Sequence, residues 1–183
     1  PPDDLATLRR LLTNIPANQE DFEEFIAPIL NLDAFMTWQR THSFAQDVDT
    51  FTKNYYLYHD LAAPDNSPDN QFQLISWDAD ASWGLNWDGQ DLSAFFNINL
   101  HGSDRFSPRL LSIEHYHFMY LKRYQEALQG PLHANALLDQ IAATASEIQA
   151  AARYDLELWP RNDRDFDTEI QRLQDTVMTR HLL

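Results

Sequence analysis

Two short aromatic segments constrain the fold of this chain more than any other feature of its sequence. "NYYLYHD" (54–60) and "QFQLISW" (71–77) are both rich in aromatic and large apolar residues. They are separated by "LAAPDNSPDN", a connector of Pro, Asn, Asp and Ser that is typical of turns. The pattern predicts two short strands paired as an antiparallel hairpin.

Most of the remaining chain carries apolar residues at helical spacing. Near the carboxyl end, for example, Phe166, Ile170, Leu173 and Val177 are spaced by four, three and four residues. We therefore expect a mostly α (α+β) fold, a helical bundle with a small hairpin, in a single domain over 1–183. The predicted helices cover 3–14, 18–30, a segment that begins after a cap at Asn31, 107 to about 128, about 133–153, and a last segment from near Arg164; 78–107 is predicted to be irregular.

The charge of the chain limits the partners that it can bind. Its 183 residues include 13 basic and 28 acidic side chains, for a net charge of −15, and no cysteine. This charge argues against nucleic acid and anionic membrane surfaces as partners, because both require a basic surface. Thiolate metal sites and cysteine nucleophiles are excluded as well. No apolar run is long enough to span a bilayer.

Acidic and amide side chains lie at the ends of the two predicted strands. Asp49 and Asn54, with four residues between them, precede the first strand, and Asp78 and Asp80 follow the second. The surrounding segment 61–104 holds seven acidic residues and no Lys or Arg. Asp-x4-Asn, a hairpin and then an Asp is the order of groups in a protein-kinase catalytic lobe, where the Asn and the later Asp hold magnesium. Carboxylate and amide oxygens are suitable ligands for Mg²⁺.

The sequence around these residues closely resembles the motifs of the spore-coat protein H (CotH) kinase-like family. In that family an Asp precedes "NYYLY", and the second strand ends in a "PWDxD" motif that corresponds here to "SWDAD" within "LISWDADASWG". The segments "LDAFMTW", "FSPRLLSIEHYHFMYLKRYQEALQGPL" and "IQRLQDTVMTRHLL" resemble other parts of the family. The resemblance therefore spans nearly the whole chain.

The resemblance implies roles for four residues. Asp49 would be the catalytic Asp, Asn54 a metal-binding amide that also serves the nucleotide, Asp78 the main metal carboxylate, and Asp80 a second ligand or a group behind the ligands. Ser76 stands where the family usually has proline. The tryptophan that commonly precedes the catalytic Asp is missing, so Asp47 competes with Asp49 for that role; the spacing to Asn54 favours Asp49.

The resemblance also implies an activity and its partners. A CotH-like atypical protein kinase would transfer a phosphoryl group from ATP to a Ser or Thr hydroxyl of a protein substrate, with Mg²⁺ or Mn²⁺. The chain resembles the carboxy-terminal lobe of such an enzyme. The smaller lobe, which carries the nucleotide-gripping lysine, is expected before Pro1. The family further suggests a secreted, envelope or spore-surface location.

Two other functions stay open on the sequence. "DADASWGLNWDG" places oxygen side chains at 78, 80 and 82, as a calcium loop does, but has Trp83 where an EF-hand needs Gly and Gly89 where it needs Glu. A non-catalytic pseudokinase or helical binding module is the second alternative.

Several other conspicuous side chains are interpreted as structural. His42 lies near an aromatic cluster and is interpreted as structural. Ser82 lacks the glycines of a nucleophile elbow. Trp77, Trp83 and Trp87 are expected to pack in the core or anchor the loop more than to stack on a ligand.

Overall fold

The structure is a computed structural model that describes residues 15–47, 49–51, 53–60, 62–64, 67–93, 107–160 and 165–183. The helices are α1 (Gln19–Ile26), α2 (Leu32–Ala45), α3 (Ser107–Leu110), α4 (Glu114–Leu128), α5 (Ala134–Leu158) and α6 (Phe166–Leu182); the strands are β1 (Tyr55–Tyr58) and β2 (Gln73–Ser76). The prediction of a mostly helical chain with a small antiparallel sheet is confirmed. The helix predicted over 3–14 and part of the irregular segment, 94–106, lie outside the described residues.

The two strands pair as predicted, with Tyr55 opposite Ser76 and Tyr58 opposite Gln73. Side chains of β1 alternate between the core and solvent, as the period of a strand requires. Tyr55 and Leu57 pack against the core. Tyr56 and Tyr58 are exposed on the opposite face. The hairpin therefore covers one side of the helices and leaves an aromatic face open.

The segment between the first two helices holds the hairpin through backbone hydrogen bonds. Asn31 caps α2, as expected, because its side chain accepts from the amide of Ala34 at 3.0 Å. Helix α1 ends at Ile26 rather than at 30, since Pro28 has no amide to continue the ladder. The residues after the break pair with the start of the second strand segment: the amide of Asn31 donates to Phe72 O at 2.9 Å.

The main core lies between α1, α2, α4 and the inner face of the hairpin. Its largest fully buried side chains include Phe22, Phe35 and Tyr120. Trp38 of α2 packs against Phe51 and Tyr55 at ring-centroid distances of 5.4 and 5.6 Å. The aromatic residues around the hairpin thus connect α2 to the loop and strand that carry the candidate site.

The single helix predicted from Ser107 to about Leu128 is wrong. A turn at 111–113 separates α3 from α4, and Ile113 has an extended backbone with φ −84° and ψ 120°. Leu110, Leu111 and Ile113 are all buried in the core. Consecutive residues of one α-helix point about 100° apart, so a continuous helix would turn part of this set toward solvent.

Helices α5 and α6 form a pair at the edge of the domain. Helix α5 begins after a cap at His133 and runs to Leu158, beyond the predicted end at 153. Helix α6 begins after Asp165, close to the predicted Arg164. Arg180 ties α6 to the rest of the domain, since its guanidinium donates to the carbonyls of Phe44 and Ser43 at 3.1 Å each. No helix in the described part of the chain is long and apolar enough to cross a membrane.

Candidate functional site

The loop between α2 and β1 carries two of the predicted site residues, Asp49 and Asn54. It begins at Gln46, whose left-handed backbone (φ 55°) ends α2 while its amide bonds to the last carbonyls of the helix. The side chain of Gln46 is fully buried and donates to Ser93 O at 3.0 Å. A loop anchored in this way holds its next residues in a fixed position relative to the helix.

A chain of polar side chains, buried except at its Ser76 end, connects this loop to the end of β2. His42 Nδ1 lies 2.8 Å from Asp47 Oδ2, and His42 Nε2 lies 2.6 Å from Ser76 Oγ. The other oxygen of Asp47 accepts the amide of Thr50 at 3.1 Å. The hydroxyl of Thr50 in turn donates to Asn54 O at 3.1 Å. Buried polar groups are stable only when paired in this manner, so the network fixes the loop against the strand.

Asn54 contacts the residues that follow β2. Its carbonyl also accepts the amide of Trp77 at 3.1 Å, which continues the pairing past the end of the strand. Its side-chain nitrogen donates to the carbonyl of Asp78 at 3.2 Å. Asn54 is 8% exposed. The structure therefore brings two of the predicted site residues, Asn54 and Asp78, into direct contact.

The three predicted carboxylates differ in their surroundings. Asp49 is 19% exposed and forms an ion pair with the exposed Lys53 at 3.1 Å. Asp78 and Asp80 are exposed on the loop after β2. The backbone of Asp78 is left-handed (φ 54°), a conformation that Asp and Asn adopt more readily than other residues with a Cβ.

A metal ion at this position would take only part of its ligands from the protein. Across the described ranges, no group of three or more His, Cys, Asp or Glu side chains could hold a metal, so Asp49, Asp78 and Asp80 do not form a three-carboxylate cage. The amide oxygen of Asn54 and the carboxylate of Asp78 are hard ligands, and the side-chain nitrogen of Asn54 is bonded to the backbone carbonyl of Asp78. This donor set fits Mg²⁺ or Mn²⁺ that takes its remaining ligands from phosphate and water.

The three tryptophans of the region have different roles. Trp83 packs edge-on against Phe44 at 5.7 Å, so its expected role as an anchor is confirmed. Trp77 and Trp87 are 59% and 73% exposed, and the expectation that they too are packed is wrong. The Trp77 ring contacts that of Tyr56 at 5.8 Å. These two rings form an exposed aromatic surface next to Asp78.

The structure also separates Asp47 from Asp49, which the sequence left in competition. Asp47 is fully buried and both of its oxygens are bound, by His42 and Thr50. A side chain so enclosed is unsuited to receive a substrate proton. Asp49 keeps part of its surface open.

Sequence reasoning missed Ser76, His42 and Thr50 as members of the network. Ser76 and His42 are separated by 34 residues and meet only because β2 lies beside α2. The sequence feature that could have drawn attention to Ser76 was the presence of serine where the family usually has proline.

The calcium-loop alternative lacks the surroundings of an EF-hand. Segment 78–89 follows a strand and continues into turns closed by a bridge between Leu85 and Asp91. Among the described residues on either side of it there is no flanking helix such as the helix–loop–helix motif requires.

The comparisons with known proteins agree with the resemblance seen in the motifs. The family described as CotH kinase protein matches residues 2–182, and the chain belongs to this family. Inner spore coat protein H of Bacillus subtilis (strain 168) is similar to this chain, with 23% identity over 159 residues. The match covers 86% of this chain and 41% of the relative, so the chain spans less than half the length of that protein.

Proposed function

We propose that this chain is the kinase-like catalytic lobe of a phosphotransferase that moves a phosphoryl group from ATP to a Ser or Thr hydroxyl of a protein. The contact between Asp78 and Asn54, which lies on the same loop as Asp49, is the observation that supports this function. Phosphoryl transfer depends on positioning and charge neutralisation more than on covalent chemistry, and these residues can provide both.

Asp49 is the group that receives the substrate. Its partly open carboxylate can accept a hydrogen bond from the acceptor hydroxyl and take its proton as the phosphoryl group arrives. Lys53, 3.1 Å from Asp49, orients that carboxylate and adds a positive charge beside it. In an acidic surface, this charge favours the approach of an anionic phosphate.

Asn54 and Asp78, with Asp80 nearby in sequence, would hold Mg²⁺ or Mn²⁺. When bound, the ion neutralises the phosphate oxygens during transfer. The amide of Asn54 is held by its bond to Asp78 O, so its oxygen is fixed before an ion arrives. The carboxylates of Asp78 and Asp80 are exposed, which leaves them accessible to an ion that is carried by the nucleotide.

Metal titration of this chain tests the site without requiring the rest of the enzyme. Isothermal titration calorimetry is expected to show weak binding of Mg²⁺ or Mn²⁺ that Asp78→Asn abolishes. Asp88→Asn is the matched control, since it removes the same charge from the same exposed acidic segment. Equal losses in the two variants would indicate general attraction of cations and would contradict a specific site. Tight Ca²⁺ binding with Mg²⁺ ignored would favour the calcium-loop function instead.

The phosphotransfer assay uses the full-length protein. Asp49→Asn is expected to reduce the rate by about 100-fold or more, the usual contribution of a general base. Asp78→Asn should also remove most of the rate, while leaving the melting temperature without metal unchanged or slightly raised, because one of several repelling carboxylates is lost. A destabilised but fully active Asp78→Asn protein would contradict the assignment. A pseudokinase or binding module would show no transfer in the unmodified protein.

A further inference from the structure

Ser76, His42 and Asp47 form a hydrogen-bonded chain of the kind that activates a serine in hydrolases. We propose that Ser76 is a base-activated nucleophile that accepts acyl groups from activated esters. This activity is separate from phosphoryl transfer and requires neither nucleotide nor metal. The three residues come from β2, α2 and the loop after α2, so the arrangement is created only by the fold.

The contacts assign a role to each atom of the chain. Asp47 is fully buried, and an ionised carboxylate can only accept, so a hydrogen bond at the 2.8 Å contact requires the proton on His42 Nδ1. In the neutral ring the lone pair then lies on Nε2, which faces Ser76 Oγ at 2.6 Å. The amide of Thr50 donates to the second oxygen of Asp47 and keeps the carboxylate in place. Nucleophile, base and orienting acid are thus in the order that acyl transfer requires.

The base is enclosed, whereas the nucleophile is accessible. His42 is 5% exposed, and its ring packs against Trp38 at 5.3 Å and Phe51 at 6.5 Å. These aromatic rings exclude water from the imidazole and hold its orientation. Ser76 is exposed at the last position of β2. Because the residue is exposed and its contact with His42 is only part-buried, we expect an external electrophile to reach the hydroxyl.

The backbone around Ser76 limits the class of substrate. In hydrolases the amide of the residue after the nucleophile stabilises the oxyanion. Here the amide of Trp77 donates to Asn54 O at 3.1 Å and is already used. Substrates that need strong oxyanion stabilisation, such as amides, are therefore unsuitable. Esters with a good leaving group, such as aryl esters, fit this site.

The reaction consists of two balanced steps. Ser76 Oγ adds to the ester carbonyl carbon while its proton moves to His42 Nε2. The carbon–oxygen bond to the leaving group then breaks, and the leaving oxygen departs with the electron pair and receives that proton. The product is acyl-Ser76.

The test uses p-nitrophenyl acetate with the purified chain in EDTA and without nucleotide. We expect release of p-nitrophenol and one acetyl group per chain, located on the Ser76 peptide by mass spectrometry. Ser76→Ala should remove this label, and His42→Gln should slow labelling by about 100-fold, the usual effect of a general base. Ser82→Ala and His115→Gln are matched controls and should label normally. The hydroxyl of Ser82 donates to the carbonyl of Ala79 rather than to a histidine. His115 pairs with Glu23 rather than with a serine.

A second measurement tests the proposal independently in case His42→Gln alters folding. Ser76→Cys should react with iodoacetamide faster than Ser82→Cys in protein whose circular dichroism matches the unmodified chain. Absence of an acetyl group on Ser76 in the folded protein, or equal reaction of the two cysteines, would overturn the proposal. Those outcomes would leave His42 and Ser76 as residues that only join β2 to α2. Because the assay contains no metal or nucleotide, failure of the proposed kinase function would not change its result.

Discussion

The region that carries the candidate site and the α5–α6 pair are stabilised in opposite ways. Around α2 and the hairpin, polar side chains are buried and hydrogen-bonded to other side chains or to the backbone. They include Gln39, His42, Gln46, Asp47, Thr50 and Asn54. In α5, by contrast, Ala134 alone is buried among 25 residues, and large apolar side chains such as Ile148 and Tyr154 are 45% and 61% exposed.

This difference shows where the fold tolerates change. Removing the partner of a buried polar group lowers the free energy of unfolding more than removing an apolar contact at the surface does. The paired polar groups of the site region therefore depend on the geometry that brings them together. The helical pair needs only its apolar stripe and its caps, so substitutions on its outer face should have little effect.

The largest effect is expected when the bridge between loop and strand is removed. His42→Ala leaves the fully buried carboxylate of Asp47 without its ring partner, which should lower the free energy of unfolding by about 3 kcal/mol or more. His115→Ala is the control, since this histidine is exposed and pairs with Glu23 at 3.3 Å; its effect should stay within about 0.5 kcal/mol. Urea denaturation measures both. Similar values for the two variants would contradict the contrast between buried and exposed polar pairs.

A second comparison concerns two glycines in the loop after β2, one of which lies against α6. Gly84 has φ 83°, and a Cβ there would lie 3.3 Å from Thr176 Oγ1 and 3.4 Å from Leu92 O. Gly84→Ala should therefore cost about 2 kcal/mol in unfolding free energy, from backbone strain and crowding together. Gly89 has φ 78° and open space around it, so Gly89→Ala should cost only about 1 kcal/mol of strain. Equal losses would show that the loop is not packed closely against α6.

A smaller effect is expected inside the polar network. Thr50→Val keeps the shape of a buried side chain but removes its hydroxyl donor to Asn54 O. Since that carbonyl keeps the amide of Trp77, the loss should be about 1 kcal/mol in unfolding free energy. Thr41→Val on the exposed side of α2, where the hydroxyl bonds only to Thr37 O, should change it by less than about 0.5 kcal/mol. A larger loss at 41 than at 50 would contradict a buried network.

The two regions also differ in how far the sequence predicts them. Local signals sufficed where one segment determines its own conformation, as at the Asn31 cap, the hairpin and the stripe that begins at Phe166. The break between α3 and α4 was not predicted because helical periodicity does not show how many neighbouring residues are buried in the same core. Leu110, Leu111 and Ile113 are buried together only in the folded protein.

The sequence indicated which positions are candidates for the site but not which side chains are in contact there. Spacing and family motif identified Asp49, Asn54 and Asp78, and strand pairing explains why the last two meet. No local pattern links His42 to Ser76, because their contact depends on how β2 lies beside α2. The same long-range pairing buries Asp47 and leaves Asp49 partly open.

The smallest effect is expected at the cap of α6, where the group is fully exposed. The amide of Thr168, and then its hydroxyl, donate to Asp165 and lower the pKa of that carboxyl below its ordinary value of 3.8. A folded-state pKa below the unfolded value gives stability that is present above pH 3.8 and is lost as the pH falls through the lower folded-state pKa. Asp165→Asn keeps a capping oxygen but does not titrate there. Thermal melts from neutral pH downward should therefore show the unmodified chain losing a small advantage over the variant below pH 3.8. An advantage that grows as the pH falls would show that the carboxylate does not serve as the charged cap of α6.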